Sequence, residues 1–157
     1  ERIRAAKSKV WTGLCRYFAD TKGEEWNEWF QRMLKGDSTS LPKKFEDDEV
    51  INCAKIWSLS SNTAKKSLDY LMKVAKMDSW VVLNSLASSP YVPGSIIDDI
   101  VRRTDAVKGF EYILEVAARN PNLTRSTLRF IVHESSAETR FKKPALKLAR
   151  DLESWQK

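Results

Sequence analysis

The sequence predicts an all-α chain, a row of helical hairpins forming either a short α-solenoid or an irregular multi-helix bundle. Three observations predict it. Apolar residues recur at helical spacing along most of the 157 residues, and no stretch reads as a strand. Only five Gly and five Pro are present, too few for a strand-rich fold with many tight turns. Two phrases, "SLASSPYVPGSIIDDIV" ending at Val101 and "EVAARNPNLTRSTLRFIV" ending at Val132, repeat one pattern 31 residues apart.

The elements follow in order. "IRAAKSKVWTGLCRYFA" puts Ile3, Val10, Leu14 and Phe18 on one stripe, widened by Trp11 and Tyr17, and Gly23 ends the pattern. "EEWNEWFQRMLKG" leads with acid and closes on Lys35-Gly36, which suits the helix dipole and a glycine C-terminal cap. Trp26, Trp29, Phe30 and Met33 share one face, so residues 1–36 are expected to form a helical hairpin. Residues 37–48 hold Ser, Thr and Pro without helical periodicity and are expected to connect it to the rest.

Residues 49–157 are expected to be stacked helix pairs, the whole chain forming a single domain. "DEVINCAKIWSL" carries Val50, Ile51, Ala54 and Trp57. "SSNTAKKSLDYLMKVAK" predicts one helix with a cap at Ser61, Asn62 or Thr63 and a stripe of Leu68, Leu71, Met72 and Ala75. "DSWVVLNSLA" starts at Asp78, and "PGSIIDDIVRR" follows Pro93, a residue favoured in a first turn. "DAVKGFEYILEVAAR" is expected to start near Asp105 and "TRSTLRFIVHE" near Thr124. Pro144 is expected to kink or split the last helix.

At the 31-residue offset Val82 falls on Ile113, Leu83 on Leu114, Ala87 on Ala118, Pro90 on Pro121, Ile97 on Leu128 and Ile100 on Ile131. A looser copy lies 29 residues upstream, where Ala54 falls on Leu83 and Leu71 on Ile100. A period near 30 is the signature of stacked helical pairs. One short pair cannot hide both apolar faces, and stacking a second pair buries the shared one.

"ASSPYVPGSII" (87–97) and "ARNPNLTRSTL" (118–128) resemble the variant leucine-rich repeat: an Ala, a short Asn-Pro-like turn, then a helix carrying Leu. The resemblance covers residues 80–142 and implies an all-helical, right-handed solenoid of HEAT-like character that serves as a binding scaffold. The spacing here is longer than that family's. Some of its members hold an iron–sulfur cluster; Cys15 and Cys53 are too few and too far apart for one.

No catalytic set is legible, and a non-enzymatic role without cofactor is expected. His133 is the only His and ends a helix, where a cation is favoured. Cys15 and Cys53 are expected to be small packing residues. Asp98 and Asp99 are adjacent on a helix and point apart. There is no phosphate-cradling Gly-rich loop and no HExxH. The six Trp mostly fall on apolar stripes and are expected in the core, with Trp26 and Trp29 a possible exposed aromatic contact. No apolar run approaches the ~18 residues of a membrane span. Two cysteines build no disulfide framework, so a reducing, intracellular setting is expected. Because the chain opens at Glu1 without Met, it is expected to be a fragment or a processed form, and a missing leader carries no meaning.

Charge supplies the functional signal. The net charge is +6, yet residues 119–157 alone hold nine Lys/Arg against four Asp/Glu. Arg119, Arg125 and Arg129 flank the last turn, and Arg140, Lys142, Lys143, Lys147 and Arg150 follow, with Asn120, Asn122, Ser126 and Thr127 as neutral donors nearby. Such a field attracts an acidic partner. The expected partner is an acidic protein segment; the alternative is a nucleic acid held by its phosphates. A repeat-based DNA-processing enzyme ranks third, because no convergent Asp–Trp constellation can be read. Oligomeric state is not legible.

Overall fold

The computed structural model describes residues 21–37 and 39–155, and every regular element among them is a helix. The helix expected over residues 3–18, with Trp11 and Cys15, lies outside the described residues, as does the Trp155 side chain. The chain forms two compact units, Glu1–Ser58 and Leu59–Lys157.

In the first unit α1 (Glu24–Leu34) packs against α2 (Glu49–Trp57), and a 3₁₀ turn (Lys43–Phe45) lies between them in sequence. Acidic Glu24 and Glu25 open α1. Gly36, at φ 82°, closes it, its N–H donating to the Met33 carbonyl while the Asp37 N–H donates to that of Arg32. That pair of bonds is the left-handed glycine cap the sequence predicts. Trp26, Phe30, Met33, Ile51 and Ala54 form the core, with Leu41 and Phe45 of the connecting stretch packed on it. Asp48 ties two elements together: Oδ1 accepts from the Ile51 N–H at 2.9 Å, capping α2, and Oδ2 accepts from Trp26 Nε1 at 2.7 Å.

The second unit runs α3 (Ser61–Lys66), α4 (Leu68–Val74), α5 (Trp80–Ser88), α6 (Gly94–Thr104), α7 (Tyr112–Ala118), α8 (Arg125–Arg129) with a π-helical turn (Phe130–Glu134), and α9 (Thr139–Trp155). Hydroxyl caps start several of them, Ser60 on α3, Ser79 on α5 and Thr124 on α8. Helix α5 packs on α6 and α7, α6 on α7 and α8, and α7 on α9. Positions that coincide at the 31-residue offset share an environment: Val82, Leu83 and Ala87 are buried, and so are Ile113, Leu114 and Ala118.

Hydrogen bonds stitch one pair to the next. Buried Asn120 donates through Nδ2 to the carbonyls of Ala87 (2.7 Å) and Ser89 (2.8 Å). Asn122 Nδ2 donates to those of Pro90 (2.7 Å) and Val92 (2.9 Å). Thr127 Oγ1 donates to Asp98 (2.6 Å) and Ser135 Oγ to Asp105 (2.7 Å). These bonds join residues 29 to 33 apart. The two turns approach so closely that a Cβ on Gly94 would collide with the Asn122 carbonyl oxygen.

Several expectations are corrected. The helix expected within residues 60–76 is two, broken at Ser67 (φ −111°, ψ 18°), whose backbone leaves the helical region. The second piece buries Leu71, Val74 and Ala75 and leaves Leu68 and Met72 exposed. The helix expected from Asp105 begins only at Tyr112, because Ala106 (φ 62°) and Gly109 (φ 95°) are left-handed. Pro144 does not split the last helix: α9 runs unbroken from Thr139 to Trp155 with Pro144 inside it, the forgone bond being to the carbonyl of Arg140 in its first turn. The Trp residues divide, with Trp26 buried (2% exposed) but Trp57 (37%) and Trp80 (42%) facing outward.

Candidate binding face

Helix α9 is amphipathic. At about 100° per residue, Phe141, Ala145 and Leu148 lie on one side, and Arg140, Lys143, Lys147 and Arg150 fall within a sector of roughly 80° on the other. Phe141 and Ala145 are buried, whereas all four cations are exposed. At 1.5 Å per residue the cationic stripe is about 15 Å long. Arg140 is held at its start by Glu138 (3.0 Å) and by the Phe141 ring, 4.5 Å from its Cζ.

A second basic group lies at the preceding turn. Arg119 follows the last residue of α7, and Arg125 and Arg129 lie four apart on α8, all three exposed. Among the described residues, no ion pair engages Arg119, Arg125, Arg129, Lys143, Lys147 or Arg150. The other expected members turn elsewhere. Lys142 is half-buried, with Nζ donating to the Ser135 carbonyl. Asn120, Asn122 and Thr127 face the preceding helix pair and are structural.

Two residues that the sequence left unmarked belong beside these groups. Tyr112 is 54% exposed and meets Phe141 in a T-shaped contact with centroids 5.2 Å apart, and the Arg140 guanidinium contacts the same Phe141 ring. Arg102 lies over the Phe130 ring at 4.7 Å, pairs with Asp98 at 3.0 Å and donates through Nη2 to Ser126 Oγ at 3.1 Å. Either placement requires knowing which helices adjoin. The 31-residue offset, which sets α7 beside α5 and so opposite α9, was the available signal.

The remaining candidates have structural surroundings. Trp26 stacks on Phe30 at 5.1 Å inside the core and offers no surface, because its indole N–H reaches Asp48. Trp29 is half-buried under Arg32, whose Cζ is 4.2 Å from its ring. His133 is exposed at the end of the π-helical turn, and Cys53 is buried. Asp98 and Asp99 pair with Arg102 and Arg103 four residues on. In the first unit, hydrogen bonds from the Thr39 hydroxyl and N–H, then from Arg32, lower the Asp37 pKa to about 2, and burial pushes the Lys55 amine down. A cleft of about 270 Å³ lies between residues 104–114 and 136–141, with Phe110, Leu114 and Phe141 as apolar walls and Asp105, Lys108 and Glu111 among its polar lining. No group of three or more His, Cys, Asp or Glu among the described residues is placed to hold a metal ion, and no helix among them is long and apolar enough to cross a membrane. Comparison with protein-family models, curated proteins and solved structures finds no match.

Proposed function

We propose that this chain is a non-enzymatic helical-repeat domain that docks an acidic protein segment through its basic C-terminal face. The carrying observation is the α9 stripe of Arg140, Lys143, Lys147 and Arg150, exposed opposite the side that packs on the fold. A fixed row of cations on a rigid helix meets an anionic segment without reorganising, and Arg125 and Arg129 add a second point of attachment. The hydrogen bonds between residues 29 to 33 apart support the repeat reading and its likeness to the variant leucine-rich repeat.

A fluorescent Asp/Glu peptide should bind at ~50 mM salt and weaken steeply by ~200 mM, because the Debye length shortens as salt rises. Lys143→Glu with Lys147→Glu, or Arg125→Glu with Arg129→Glu, should each cost at least tenfold in affinity with the helical circular dichroism unchanged. Wild-type affinity in both double variants would remove this face. The nucleic-acid reading is the second, favoured by exposed Tyr112, which shares the Phe141 ring with Arg140, since aromatic platforms with basic tracks bind single strands. It requires oligonucleotide binding at ~50 mM salt that outcompetes the peptide.

A further inference from the structure

The basic stripe has an aromatic end. Buried Phe141 is the pivot: its ring meets Tyr112 in a T-shaped contact (80° between planes), and the same ring carries the Arg140 guanidinium 4.5 Å from its centroid. Tyr112 is thus fixed in direction while 54% exposed, level with Met72 as the most exposed large apolar side chain among the described residues. From Arg140 the cations run one way only, toward Arg150. The cleft that Phe141 walls carries the carboxylates of Asp105, Glu111 and Glu138 against the single cation Lys108. An acidic ligand is therefore favoured along α9 over the cleft.

We propose that Tyr112 is the specificity anchor of the docking face, and that the acidic segment it selects carries an aromatic side chain at one end of its acidic run. This rests on the proposed docking function. A rigid, amphipathic Tyr ring gives contact area at little entropic cost, and such residues dominate interface energetics when a partner ring covers them. A stripe of about 15 Å matches four or five extended residues at roughly 3.3 Å each. The acidic run thus occupies the helix while its terminal ring packs on Tyr112. The surface reads the charge through Arg140, Lys143, Lys147 and Arg150, and the aromatic through one side chain.

The test compares two capped, fluorescent peptides, each an alternating Asp/Glu run, one ending in phenylalanine and one in alanine. Wild type should bind the phenylalanine peptide about tenfold more tightly, the scale of a single interface hot spot. Tyr112→Ala should abolish that preference and leave the alanine peptide within twofold of wild type. Tyr112→Phe should retain the preference, and thermal melts of both variants report that the fold persists. Equal binding of the two peptides by wild type, or a preference surviving in Tyr112→Ala, overturns the anchor and leaves basic-face docking standing. If neither peptide binds at ~50 mM salt, the docking function falls and the anchor with it. If neither binds but an oligothymidylate does, with an abasic strand of equal length failing and Tyr112→Ala releasing it, the ring serves a nucleobase and this proposal is overturned.

Discussion

Asp48 shows how one side chain can hold two elements. Its Oδ1 caps α2 through the Ile51 N–H, and its Oδ2 takes the buried Trp26 indole N–H. A lost cap costs about 1 kcal/mol, and removing the acceptor of a buried donor about 1–3 kcal/mol more. Asp48→Ala should therefore destabilise by about 2–4 kcal/mol in urea unfolding. Asp48→Asn separates the two, because Asn caps as well as Asp but turns an N–H toward the indole in place of an acceptor. It should cost only the second part, and equal losses in the two variants would contradict the division of labour. Asp37 makes a pH prediction. With a folded pKa of about 2 against an ordinary 3.8, its contribution is present above about pH 4 and disappears as pH falls through 2. A carboxyl ¹³C titration should give a midpoint near 2, moving upward in Thr39→Ala, since the Thr39 hydroxyl is the largest cause. An unshifted midpoint in that variant would assign the effect to the residue-39 N–H and Arg32 instead.

At the scale of the element, capping chemistry was legible and interruptions were not. The acid-led start and glycine end of α1, and the Thr124 start of α8, follow from side chains acting within three residues of themselves, whereas the cap of α3 is Ser60, one residue before the expected Ser61, Asn62 or Thr63. The break at Ser67 and the late start of α7 depend on which face is buried and on a left-handed Ala106, neither of which apolar spacing encodes. The asparagines were misassigned for the same reason. Asn120 and Asn122 sit among arginines in sequence and look like surface donors, yet both amides close the turn between α5 and α6. Asn120 is 6% exposed and satisfies two carbonyls. Asn120→Ala should cost about 2–4 kcal/mol, because those acceptors stay buried and unpaired. The same change at half-buried Asn122 should cost less, since water can reach its partners. Denaturant midpoints that place Asn122→Ala below Asn120→Ala would contradict this ranking.

At the scale of the whole molecule, the all-helical class and the charge asymmetry were legible because both are sums over many residues. The site was legible only in part: the cations of α9 were found as a run, but Tyr112 lies 28 residues before Arg140 and joins it only through the packing of α7 on α9. That packing order has a consequence for dynamics. In the second unit α4 meets α5, α5 meets α7, and α7 meets α9, so the main packing route from α9 to α4 runs through the helices between. A stack of this kind transmits destabilisation to nearest neighbours first. Phe141→Leu trims the ring that holds Tyr112 and should cost roughly 1 kcal/mol. Native-state hydrogen exchange should then show amides of α9 and α7 losing protection, those of α5 less, and Leu71 and Val74 of α4 nearly unchanged. Equal loss across α4, α5, α7 and α9 would mean that the unit opens as one cooperative bundle, and the basic face of α9 could not then loosen apart from the helices behind it.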